Sequence, residues 1–210
     1  MKKVLLLFLI ISYSLLCNES YTIKDNNNVS LLALEIANTQ IGTKETAGKN
    51  RSKQIDLYNK TAGVSVGSPY CAAGIYWSFK TAADSLKVKN IIKQTASANR
   101  QYDYCKSKGT KDSIYKANKS SLIVWKYSNS YNGHIEIINK VLNNGNVETI
   151  GFNTSSGASG SQRDGEGVYK RQRNIKYKLG KMLVRGVINF EKEKNINNNT
   201  NYYKCTLYKL

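Results

Sequence analysis

Gly67-Ser68-Pro69-Tyr70-Cys71-Ala72-Ala73-Gly74-Ile75-Tyr76-Trp77-Ser78-Phe79 is the stretch whose reading decides the fold. It opens as a turn, with the chain's single proline, and continues with small residues alternating with aromatic ones, as a buried helix requires. A cysteine at that junction lies where the helix dipole is positive and the first backbone N–H groups have no intrahelical partner. Such a position stabilises a thiolate, and the same N–H groups can hold an oxyanion. The bland alternative is a buried structural cysteine, which is the commoner state of an arbitrary cysteine.

Upstream of this segment, Ser30 is placed as the cap of a first helix carrying Leu31, Leu32, Leu34, Ile36 and Ala37, which Gly42 stops. A polar stretch at 43–51 leads to a second short helix around Ile55, Leu57 and Tyr58. Downstream the character changes. Residues 121–126 (Ser-Leu-Ile-Val-Trp-Lys) and 133–140 (Gly-His-Ile-Glu-Ile-Ile-Asn-Lys) read as strands. Asn143-Asn144-Gly145-Asn146 is a hairpin turn, and 147–152 is the return strand. Beyond a Gly- and Ser-rich loop at 155–167, residues 167–170 and 183–190 complete the sheet elements. Helices first and an antiparallel sheet afterwards is an α+β order.

At 210 residues the chain suits one domain with an N-terminal extension. Lys2 and Lys3, the apolar run continuing to Leu16 and the polar Asn18-Glu19-Ser20 read as an export signal over 1–20. That apolar run falls short of the roughly 20 residues a membrane span needs. Cys17 sits where a lipoprotein signal would place its acylated cysteine, but the small residue usual immediately upstream is absent, so lipid anchoring is the minor alternative. A linker follows at 21–29, the domain occupies 30–190, and the charged, Asn-rich stretch at 191–210 reads as a polar tail.

Lys and Arg number 32 against 14 Asp and Glu, a formal charge of +18. A chain this basic is drawn to polyanions at long range, and an exported one meets anionic wall polymers and lipid first. No phosphate loop, zinc module or RNA-binding aromatic motif supports a nucleic-acid partner. The chain has a single histidine, His134, and no His/Cys cluster with zinc-ligand spacing, so no metal or other cofactor is expected. His134 opens a strand after Gly133, and a Cys–His pair on separate elements is the minimum for acyl transfer. Of the other cysteines, Cys105 and Cys205 are left by elimination as candidates for a disulfide.

The segments Ile41-Gly42-Thr43-Lys44-Glu45, Gly48-Lys49-Asn50 and Gly67–Ala72 resemble the nucleophile region of CHAP-type amidases and endopeptidases of bacteria and phages. Residues 133–138 resemble their histidine strand, 149–154 the strand of their third polar residue, and 167–171 the strand after it. The resemblance implies a papain-like α+β fold and cleavage of an amide in peptidoglycan; a monomer is expected. On it, Cys71 attacks, His134 carries the proton, and Asn153 orients the ring. The pattern departs at Gly151, where the family often has an acid two before that Asn, and at Tyr70, an accessory position more often Trp. Glu136, two after His134 on the same strand face, is an alternative: either the missing carboxylate, folded back across about 6.6 Å of strand, or a group that alters substrate shape. A rival reading is a catalytically weak wall-binding or structural protein that keeps the fold.

Overall fold

The computed structural model describes residues 29–108, 117–157, 160–194 and 201–209. The expected export signal, Cys17 and all of the linker but Val29 lie outside these residues. Helices α1 (Val29–Thr39), α2 (Lys53–Ala62), α3 (Cys71–Ser85) and α4 (Ala98–Lys108) precede strands β1 (Leu122–Tyr127), β2 (Gly133–Val141), β3 (Asn146–Thr154), β4 (Gly167–Asn174), β5 (Met182–Lys194) and β6 (Asn201–Lys209). The strands form one sheet in the order β4-β3-β2-β1-β5-β6, with every pairing antiparallel. This is the α+β arrangement that the order of elements predicts, and it is consistent with the papain-like fold that the resemblance implies.

Local chemistry explains the helix ends. The Ser52 hydroxyl accepts the Ile55 N–H at 3.3 Å, and Gly63 closes α2 in the left-handed region at φ 75°. Ser30 is not a cap. It lies inside α1, which begins at Val29, and is buried with its hydroxyl 2.9 Å from that of Ser120. The apolar periodicity locates the helix, but Ser30 lies within it rather than ahead of it.

The sheet buries both faces. Leu122, Val124, Ile135, Ile137, Ile150, Phe152, Val168 and Ile188 pack with the apolar residues of the helices. Alternate residues on the same strands, Ile123, Trp125, Ile138, Val147, Met182 and Val187, form a second cluster with Ile175. Helix α3 is buried along most of its length because it packs on α1 and α2 and also lies against β2 and β3. Its approach to β3 is close: a Cβ on Gly74 would stand 2.1 Å from Phe152 Cδ1. That contact seats the start of α3 on β3, the neighbour of the strand that carries His134.

The C-terminal region corrects the expected tail. Strand β5 continues to Lys194, and β6 pairs with it from Gly186↔Lys209 to Lys194↔Asn201. The alternation in Tyr203-Lys204-Cys205-Thr206-Leu207 is a strand pattern, overshadowed in sequence by the Asn-rich run before it. Pairing with β5 supplies the ladder partner that sequence composition does not reveal.

Candidate active site

Cys71 is the first residue of α3, and Tyr70 is the N-cap. No side chain among the described residues caps this helix, so its first-turn N–H groups stay available to a thiolate or an oxyanion. The Cys71 thiol is free and 5 % exposed. His134, on β2, is fully buried, its ring 6.1 Å from that of Trp125, its partner across β1.

Burial pushes the Cys71 thiol up. The hydrogen-bonding and charge of His134, with the Ala72 amide and the positive Arg163, outweigh burial, and the net shift is downward. His134 responds in kind: burial lowers it, but Cys71 and Glu136 together hold it up at about 9. The two residues therefore favour a thiolate beside an imidazolium. Among the described residues His134 Nδ1 makes no hydrogen bond of regular geometry, so the hydrogen bond that couples the ring to the thiol departs from ideal alignment. Such contacts often tighten only when substrate is bound.

The other ring nitrogen is firmly held. His134 Nε2–H donates to Glu136 Oε1 at 3.0 Å. Glu136 is itself fully buried and accepts from the Thr149 hydroxyl at 2.6 Å. It is clasped from β4 by Arg173, whose Nε lies 2.9 Å from Oε2 and whose Nη2 lies 2.7 Å from Oε1. Burial alone would raise this carboxyl, but His134 and Arg173 hold it at about 2. The buried carboxylate is thus ionised and well supplied with donors, the condition under which burying a charge is tolerable.

Asn153 is elsewhere. Oriented to match donors with acceptors, its amide donates to Gly165 O at 2.9 Å and Asn50 Oδ1 at 3.1 Å and accepts the Tyr70 N–H at 3.3 Å. Asn50 in turn donates to Gly67 O at 3.2 Å. Asn153 therefore braces the turn that delivers Cys71, and the ring nitrogen expected to bind it binds Glu136. The reason is a register shift in the β3–β4 pairing between Gly151 and Thr154, with Asn153 left-handed at φ 55°. These features turn the side chain from the direction that strict alternation implies. Tyr70 is fully buried, with its ring beside Tyr58 at 6.3 Å; burial raises its phenol, which stays neutral. It holds the turn from the apolar side.

Residues 63–153 match the family model of the CHAP domain. Over those residues the chain is similar to CHAP domains. The match contains Cys71, His134, Glu136 and Asn153, and it stops before β4. No curated protein and no solved structure matches the chain. A CHAP domain implies amidase or peptidase activity on peptidoglycan, and a cysteine and a histidine at the junction of helix and sheet suit that chemistry. Arg173 and Thr149, which complete the surroundings of Glu136, were not singled out in the sequence. Their only signal there is indirect: a carboxylate flanked by isoleucines in a buried strand demands a cation, and β4 offers Arg171 and Arg173 at alternate positions. Among the described residues no group of His, Cys, Asp or Glu could hold a metal ion.

Proposed function

We propose that the chain is an exported cysteine hydrolase that cleaves an amide bond of cell-wall peptide, as an N-acetylmuramoyl-L-alanine amidase or an endopeptidase. The observation that carries this reading is the free Cys71 thiol at the uncapped start of α3, coupled to the buried His134 within a CHAP match. Cys71 Sγ attacks the amide carbonyl carbon, and the first-turn N–H groups of α3 receive the oxyanion. His134, protonated at the outset, gives its proton to the departing amine as the C–N bond breaks, leaving an acyl-cysteine. Water then attacks the thioester with His134 as base, releasing the acid and restoring the thiolate–imidazolium pair.

The same reading includes export through residues 1–20 and a monomer drawn to anionic wall polymers by its charge of +18. No helix among the described residues is long and apolar enough to cross a membrane. The test is turbidity clearing of purified peptidoglycan by the mature protein beside Cys71→Ala. Clearing by the first and not by the second supports the proposal; equal clearing, or none by either, refutes it.

A further inference from the structure

Glu136 and Gly151 face each other across the β2–β3 pair. A Cβ built on Gly151 would stand 2.8 Å from Glu136 Oε1 and 3.1 Å from its Cδ. The Glu136 carboxylate thus fills the space into which a side chain at 151 would grow, and from there it reaches His134 Nε2. It does so although it stems from the histidine's own strand, two residues along. The fold-back is fixed by three groups from other strands: Thr149 on β3, Arg173 on β4 and the bare Gly151. Arg173 also donates to Gln162 at 3.0 Å, which ties the clasp to the loop at 155–167.

We propose that Glu136 is the positioning residue that orients His134, that it stands in for an acid on β3 by exchange across the strand pair with Gly151, and that Arg173 is the counter-ion this exchange requires. The proposal rests on the Cys71–His134 reading for its catalytic meaning, but its geometry does not depend on which substrate is cut. A merely structural Glu136–Arg173 ion pair would explain the burial. It would not explain why the carboxylate shares an oxygen with the imidazole, nor why the facing residue lacks a side chain.

The test compares the wild type with Glu136→Gln, Gly151→Glu and the double variant Glu136→Gly/Gly151→Glu. Because His134 is the sole histidine, one imidazole signal by nitrogen-15 NMR reports its titration without substrate. Alkylation of Cys71 by chloroacetamide against pH reports the thiolate, and peptidoglycan turnover reports the reaction. In Glu136→Gln the imidazolium is expected to titrate at least one pH unit lower, with the fold kept and turnover reduced on the order of 10²-fold or more. Gly151→Glu alone places two carboxylates in one space and should disrupt the site. The double variant should recover the imidazole titration and at least tenfold of the turnover lost in Glu136→Gln. An unchanged imidazole titration in Glu136→Gln overturns the proposal, and so does a folded double variant that recovers nothing. If the wild type fails to hydrolyse peptidoglycan yet the imidazole titration follows this pattern, the positioning role stands and the substrate reading falls.

Discussion

Gly74→Ala places one methyl group where α3 meets β3, and the structure sets its effect. The new Cβ would lie 2.1, 2.4 and 2.7 Å from three atoms of the Phe152 ring, whereas carbon atoms prefer about 3.5–4.0 Å. Something must therefore move by roughly 1 Å or more. Phe152 has little room to yield, being fully buried and edge-on to Tyr58 at 5.3 Å. Alanine favours a helix interior by about 1 kcal/mol over glycine, while overpacking costs about 1–3 kcal/mol and occasionally more. A displacement of this size belongs at the upper end, so the net loss should be about 1–2 kcal/mol, a fall in Tm of roughly 2–8 °C for a domain of this length. The N–H of Gly74 bonds the Tyr70 carbonyl at 2.9 Å, so the same shift displaces Cys71 from His134, and misplacement by about 1 Å can cost on the order of 10²-fold in rate. Thermal unfolding by circular dichroism and peptidoglycan turnover are the assays, with Gly74→Ala/Phe152→Leu as the compensating variant. A Tm equal to or above that of the wild type would refute the close approach of α3 to β3.

Four further outcomes concern the site and the cysteines. Cys71 alkylation should begin below the ordinary thiol range, and turnover should fall as pH rises through about 9, where His134 loses its proton; a rate that climbs steadily past that point contradicts the ion pair. In stability the signs are opposite for the two neighbours: the contribution of His134 is complete below the ordinary histidine value of 6.5 and lost as pH rises through about 9, and that of Glu136 is complete above 4.5 and lost as pH falls toward about 2. Asn153→Ala should lower stability by about 1–3 kcal/mol, measured by denaturant unfolding, because the buried Tyr70 N–H loses its acceptor, while the histidine titration stays within a few tenths of a pH unit. Cys105 is disulfide-bonded, and α4 packs against β6, the strand that holds Cys205; non-reducing peptide mapping should find those two linked and Cys71 free.

Much of the site was legible in sequence because its signals are local. A turn ending in Pro69 and a following run of small and aromatic residues mark Cys71 as the start of a buried helix, and a single histidine leaves no rival to His134. The strands from 122 to 154 show their alternation openly. The partner of the imidazole was not legible to the same degree, because it depends on register. Glu136 faces Gly151 only through the β2–β3 pairing, and Asn153 turns away only because the β3–β4 register shifts between Gly151 and Thr154. A bulge is invisible to a two-residue period. Strand β6 was hidden for a related reason: its partner β5 is supplied by tertiary pairing, and the Asn-rich segment between them reads as coil.

The central claim, amide hydrolysis through Cys71, is tested most directly by digesting purified peptidoglycan and resolving the fragments by mass spectrometry. Wild-type protein, Cys71→Ser and His134→Ala would each be incubated with the same wall preparation, and the new amino and carboxyl termini counted. The account predicts one new amine and one new carboxylate per cut, all at a single kind of amide bond, with cuts on the order of 10³-fold fewer or absent in both variants. Undiminished cutting by Cys71→Ser, or fragments ending in cleaved sugar linkages instead of amides, would contradict it.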